Sequence, residues 1–174
     1  RFYNARRRQL AEVDPNAAHL ALAQLEQRFR VSIITQNVDN LHERAGSTEV
    51  LHLHGELTKA RSSRDYRLIY DVGYRDLAVD EVCELGTPLR PHVVWFGESV
   101  PMIEPAMQLV ASADHVLVIG TSLQVYPAAG LVDLVQETAR LTVIDPGAVR
   151  SVQGAKVIQK TACDGIGEWM AGLI

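Results

Sequence analysis

Apolar positions along the chain alternate between short unbroken runs and stretches with helical spacing. Residues 1–12 are basic and helix-like, Asp14 and Pro15 interrupt them, and a second helix is predicted from Asn16 as cap through Ala18, Leu20, Leu22 and Leu25. The two form a helical hairpin, residues 1–30. "VSIITQN" (31–37) is a β-branched strand that ends in polar residues, "DNLHERAG" (39–46) is a short helix closed by Gly46 and capped by Asn40, and "VLHLHGEL" (50–57) is a further strand.

Residues 58–88 break this rhythm: they are polar and mixed, with one alternating piece around Tyr66 to Val72, and they read as a small inserted module. Beyond them come the strand "HVVWFG" (92–97), the helix "IEPAMQLVASA" (103–113), the strand "HVLVIGTS" (115–122), the helix "PAAGLVDLVQETA" (127–139), the strands "LTVID" (141–145) and "AKVIQ" (155–159), and a final helix from Asp164. Continuous apolar strands alternating with helices predict an α/β fold, a Rossmann-like parallel sheet with helices on both faces, formed by 31–57 and 89–174. Such a sheet binds its ligand beyond the carboxyl ends of its strands. The polar strand ends "TQNVDN", "HGEL", "FGES" and "GTSLQVYP" are therefore the places to look for chemistry.

Composition narrows the function. With 47% hydrophobic residues, the 174-residue chain can bury a real core. A net charge of −4 and a pI near 5.9 leave no basic face for a run of phosphates, which argues against a nucleic-acid partner. No apolar run is long enough for a membrane span and no secretory leader opens the chain, so no membrane partner and a cytoplasmic location are expected. The two cysteines, Cys83 and Cys163, are expected to be reduced.

Gly120, Thr121 and Ser122, between an apolar strand and a helix with Pro127 in its first turn, could receive a phosphate or ribose, although a plain turn has the same composition. Gln36, Asn37 and Asp39 cluster at another strand end and offer amide donors, an amide acceptor and a carboxylate. His52 and His54, two apart in a strand, would point the same way. That spacing allows a metal pair, a base beside a bystander, or two polar residues tolerated in a core. Tyr3 and Arg6 share a helical face, unless Arg6, Arg7 and Arg8 are an equivalent solvated run.

"TQNVDNLHERAG", "LHLHGEL", "LRPHVVWFGE" and "GTSLQVYPAA", in this order and spacing, resemble the sirtuins, NAD-dependent protein lysine deacylases, and within them the bacterial and mitochondrial type that removes acidic acyl groups. The resemblance implies NAD as co-substrate, with Asn37 and Asp39 holding its nicotinamide end, Gln36 the ribose hydroxyls, and Gly120, Thr121 and Ser122 the adenosine half. Asp145, where the family usually has asparagine, could accept from ribose hydroxyls, and Cys163 matches the segment that passes the adenine. His54 would be the general base and His52 a structural neighbour. The products would be nicotinamide, free lysine and O-acyl-ADP-ribose. Acyl-lysine proteins would bind as an extended strand, with Val94 and Phe96 lining the acyl tunnel and Gly97 and Glu98 at its edge. Tyr3 and Arg6 would read an acyl carboxylate.

Two departures accompany the resemblance. Four zinc cysteines are common in the family's inserted module, whereas this chain has only Cys83 there, with Ser62 and Ser63 where the first pair is expected. No zinc site is therefore predicted, and the module should hold itself by packing its tyrosines and leucines. The family's first strand and glycine-rich phosphate loop would precede Arg1, which implies a truncated chain. Two other functions stay open at this level: an NAD glycohydrolase or ADP-ribosyltransferase using the same pocket, and an incomplete, non-catalytic acyl-lysine binding fragment.

Overall fold

A computed structural model describes residues 1–147 and 152–173. Two helices open the chain, α1 (Phe2–Ala11) and α2 (Ala17–Leu25). Asn16 caps α2 by accepting from the Ala18 and His19 amides, while the His19 ring accepts from the Asn16 amide and completes a capping box. The three consecutive arginines of α1 are not equivalent. Arg7 is fully buried and donates from Nε to the Leu57 carbonyl at 2.6 Å, Arg8 pairs with Asp76, and Arg6 is exposed.

The strands β1 (Ile33–Thr35) and β2 (Val50–His52) pair in parallel, with α3 (Leu41–Ala45) between them in sequence. A second parallel sheet, in the order β6-β7-β8, joins β6 (His115–Ile119), β7 (Arg140–Ile144) and β8 (Lys156–Ile158). Side chains one residue apart on these strands enter different cores. Ile33, Val50, Leu117 and Ile119 pack with α2 and α5 (Ala162–Ala171), while Ile34, Leu51 and Val116 pack with α4 (Ile103–Ala111) and a 3₁₀ turn at Ala128–Leu134. Burial on both faces explains why the strands are unbroken apolar runs. The edges of β1 and β6 border a cavity of about 420 Å³ lined by Ile33, Ile34, Val116 and Leu117.

A third sheet is antiparallel, in the order β4-β3-β5: β3 (Gly55–Ser62), β4 (Ile69–Asp71) and β5 (Leu89–Val93). It corrects the sequence reading in two ways. "VLHLHGEL" is not one strand, because the chain leaves the parallel sheet after His52 and enters the antiparallel one at Gly55, so His52 and His54 do not share a strand face. "HVVWFG" is not a strand of the parallel sheet: β5 pairs antiparallel with β3 and ends at Val93. The boundary at 57/58 falls inside β3 and that at 88/89 falls just before β5.

The sheet's small core is Ala60, Val72 and Leu77 with Leu89 beside them. Leu77 packs as expected, but Leu85 is exposed, and Tyr66 and Tyr74 lie outside at 54% and 37% exposure, with Arg61 over the Tyr66 ring and the Tyr74 hydroxyl on Asn40. The predicted helix 127–139 shortens to the 3₁₀ turn, beyond which Val135 is extended; Gly130 and the β-branched Val132 and Val135 disfavour its continuation. The final helix starts earlier than Asp164, because Thr161 is its cap and accepts from the Asp164 amide.

Candidate active site

The site begins where β1 stops. Thr35 Oγ1 accepts from the Asn37 amide at 3.0 Å and turns the chain, leaving the Gln36 and Asn37 side chains without a hydrogen bond among the described residues. Asn40 holds the N-cap position of α3 without a side-chain cap bond, its amide group reaching Tyr74 instead, and Asp39 Oδ1 accepts from the Leu41 amide at 3.1 Å. One oxygen of Asp39 remains available.

His54 stands beside them, half-buried, in the crossing between β2 and β3. Its Nδ1 lies 3.0 Å from the Gln36 carbonyl, which can only accept, so Nδ1 carries the proton and Nε2 is the free acceptor. The His54 carbonyl takes the Val94 amide at 2.9 Å, tying the segment after β5 to the same crossing. Gly55 makes the crossing possible. It has φ +78°, and a Cβ there would stand 2.0 Å from the His92 carbonyl oxygen.

His52 is 8% exposed beneath the site, with Nε2 2.7 Å from Glu43 and Nδ1 3.3 Å from the Asn37 carbonyl. It ties α3 to the polar end of β1. No group of three or more His, Cys, Asp or Glu that could hold a metal occurs among the described residues.

The second group of predicted residues follows the other parallel sheet. Gly120 ends β6 with φ +65° and open space where a Cβ would lie, a concavity suited to close approach by a phosphate or sugar. Thr121 is half-buried and Ser122 exposed. Leu123 next to them is buried with φ +55°, strain for a residue bearing a side chain, in a loop that holds its shape through the Thr121 hydroxyl accepting from the Leu123 amide at 3.3 Å. Asp145, past β7, spends Oδ1 on the Gly147 amide at 2.8 Å, and Cys163 is exposed in the first turn of α5. Both groups sit at carboxyl ends of parallel strands, as nucleotide binding in an α/β fold requires.

The peptide-side residues are less uniform. Val94 is half-buried next to His54, Gly97 has φ +87°, and Phe96 is 98% exposed, so Phe96 lines no wall in this structure. Glu98 turns inward: its carboxylate accepts from Arg90 at 2.6 Å and from the Trp95 amide at 2.9 Å, so it backs the edge rather than offering itself to a peptide. Tyr3 stacks against Trp95 with ring centroids 6.5 Å apart, and among the described residues Arg6 donates only to Gln9, at 3.0 Å. Sequence reasoning missed Arg7, Arg61 and Arg90. Arg7 was detectable, since Asn4, Arg7 and Leu10 repeat every three residues on one helical face; the inward aim of Arg61 and Arg90 has no local signal.

Around Ser62 and Cys83, where the resemblance would put zinc cysteines, hydroxyls and one thiol bond to one another. Ser62 Oγ lies 2.9 Å from Thr87 Oγ1, Cys83 Sγ lies 3.1 Å from Thr87 Oγ1, and Ser62 Oγ accepts from the Arg64 and Asp65 amides. Hydroxyls with a single thiol do not fit a tetrahedral zinc site. Thr87→Val is expected to destabilise the protein by about 1–2 kcal/mol in a thermal melt, because buried partners lose a hydrogen bond. A strong chelator is expected to leave the parent's melt unchanged. Stoichiometric zinc in the purified protein would overturn this account.

Two parallel sheets between shared layers of helices, with amide, carboxylate and imidazole groups past the ends of their strands, define a Rossmann-like α/β protein of the nucleotide-binding kind. The model of the Sir2 family matches residues 1–127, and the chain belongs to that family. A relative in Aggregatibacter actinomycetemcomitans named NAD-dependent protein deacylase is 61% identical over 145 residues, covering 83% of this chain and 69% of the relative. A solved complex of a Sir2 homologue with NAD superposes with a TM-score of 0.88 at 34% identity, covering 98% of this chain and 69% of that one. The structure of a Sir2 protein bound to a propionylated peptide gives 0.79 at 29% identity, covering 94% and 73%.

Proposed function

We propose that this protein is an NAD-dependent protein lysine deacylase that removes acetyl, succinyl and malonyl groups from extended peptides in the cytoplasm. Acyl-lysine, NAD and water become lysine, nicotinamide and O-acyl-ADP-ribose. Family membership and the shared name of the relatives support the reaction class. The observation that carries the site is the His54 ring, whose Nδ1 is committed to the Gln36 carbonyl and whose Nε2 is free to take a proton.

In this reading NAD supplies a ribose whose bond to nicotinamide breaks and whose hydroxyl receives the acyl group. Asn37 and the uncommitted oxygen of Asp39 hold the carboxamide, and the Gln36 side chain orients the ribose hydroxyls. His54 Nε2 removes a proton from the hydroxyl that attacks the acyl carbon. Gly120, Thr121, Ser122, Asp145 and Cys163 flank the adenosine half. Val94, Phe96 and Gly97 form the peptide edge, and the described residues include no helix long and apolar enough to cross a membrane. The cytoplasmic placement is consistent with two free cysteines.

Tyr3 and Arg6 are the acyl-carboxylate readers: the Tyr3 hydroxyl has no partner among the described residues, and the exposed Arg6 guanidinium retains most of its donors. Arg6→Met is expected to lower desuccinylation kcat/KM by about 10–100-fold, the equivalent of one charge-assisted hydrogen bond, while sparing deacetylation. Equal loss of both would remove the assignment. Mass spectrometry of the nucleotide product tests the reaction itself, since O-acyl-ADP-ribose marks a deacylase and free ADP-ribose a glycohydrolase.

A further inference from the structure

Arg61 and Arg90 face each other in register on β3 and β5, and both reach the single carboxylate of Glu98. Arg90 Nη1 donates to Oε1 at 2.6 Å, while Arg90 Nη2 and Arg61 Nη2 each donate to Oε2 at 3.2 Å. The same Oε2 accepts from the Trp95 amide at 2.9 Å, and the Glu98 amide donates to the Trp95 carbonyl at 3.0 Å. Glu98 therefore closes the turn Trp95–Glu98 from both ends. The Arg90 side-chain bonds hold its carboxyl well below the usual range, at about 2, so the cluster stays ionised at neutral pH.

The cluster does not stop at the turn. Arg90 also donates to the Val93 carbonyl at 3.1 Å, and its guanidinium carbon lies 3.5 Å from the centre of the Trp95 ring. The Trp95 ring is nearly parallel to that of Tyr3, at 16°. Arg61 is 4% exposed, and the Nε atoms of both arginines are buried without a partner among the described residues. Two guanidiniums sharing one carboxylate is a costly way merely to pack two strands, since apolar side chains would do so at lower desolvation cost.

We infer that Arg61, Glu98 and Arg90 are positioning residues for acyl-peptide recognition: they fix the Val93–Gly97 edge and, through Trp95, set the Tyr3 ring against it. The inference rests on the deacylase reading for the identity of the ligand. It assigns Glu98 no contact with substrate, and it couples the two halves of recognition, peptide backbone and acyl head, through one ion cluster.

Glu98→Gln keeps the shape and removes the charge. The expected result is a peptide KM raised about tenfold, the equivalent of one charge-assisted hydrogen bond, with the KM for NAD within about twofold of the parent. The ratio of desuccinylation to deacetylation falls in the same variant. Glu98→Gln combined with Arg90→Met raises the peptide KM no further than the larger single effect, because both act through one cluster. If Glu98→Gln melts well below the parent, Arg90→Lys, which keeps the charge and loses the fork, carries the same comparison.

An unchanged peptide KM, equal rises in both KM values, or additive effects overturn the inference. Trp95 is one of only two tryptophans, so titrating an acetyl-lysine peptide against intrinsic fluorescence reports binding without turnover. A parent that binds this peptide without deacylating it, and loses the same tenfold in Glu98→Gln, refutes the reaction and leaves the positioning role standing.

Discussion

Replacing His54 with tyrosine is expected to abolish deacylation while the protein still folds. General-base catalysis by a positioned side chain contributes about 10²–10⁴-fold, and a phenol of pKa near 10 cannot take its place at neutral pH. The side chain is half-buried in the crossing, and its one hydrogen bond among the described residues, at 3.0 Å, goes to the Gln36 carbonyl, so little of the core depends on it. A melting temperature near that of the parent, together with product formation at least about a hundredfold slower, is the expected pair of results. Full activity in the variant would remove the central claim.

Gly55→Ala is expected to be the most damaging single methyl in the molecule. The left-handed backbone costs a side chain about 1–2 kcal/mol, and here the added carbon meets a carbonyl oxygen fixed in the β3–β5 ladder at 2.0 Å. Neither element gives way without breaking sheet hydrogen bonds, so destabilisation of at least about 3 kcal/mol is expected, a fall of roughly 6–12 °C for a chain of this size. Activity falls with it even below the melt, because His54 is the adjacent residue and the Val94 amide bonds to its carbonyl. A stable, fully active Gly55→Ala protein would show that the crossing is looser than described.

The predicted effects locate what was legible in sequence. Unbroken runs such as Ile33–Thr35 and Val116–Ile119 announced strands covered on both faces, and the polar stretches Gln36 to Asp39 and Gly120 to Ser122 lie past the ends of β1 and β6, where the site is proposed. The passage from parallel to antiparallel pairing inside "VLHLHGEL" was not legible, because apolar alternation continues through it; only Gly55 hints at the break. Side chains that act across distance were hidden for the same reason. Arg61 and Arg90 look like surface residues until β3 and β5 are paired, and Glu98 looks like a substrate contact until both arginines claim it.

Helix α1 carries two interleaved tracks. Asn4, Arg7 and Leu10 face the sheet, with Arg7 bonded to the Leu57 carbonyl and Asn4 to the Leu77 carbonyl and amide. Arg6, one residue before Arg7, is exposed beside Gln9, whereas the half-buried Tyr3 packs against the Leu10, Leu57 and Val93 cluster and stacks on Trp95. Under the proposed reading of Tyr3 and Arg6 as acyl-carboxylate readers, Arg6 can be exchanged for other chemistries without loosening the helix, whereas Tyr3 also holds it to the core. In evolutionary terms this is a socket with a fixed base and a replaceable tip, and under that reading a change in preferred acyl group needs only a substitution at Arg6, which leaves every buried contact of the helix as it was.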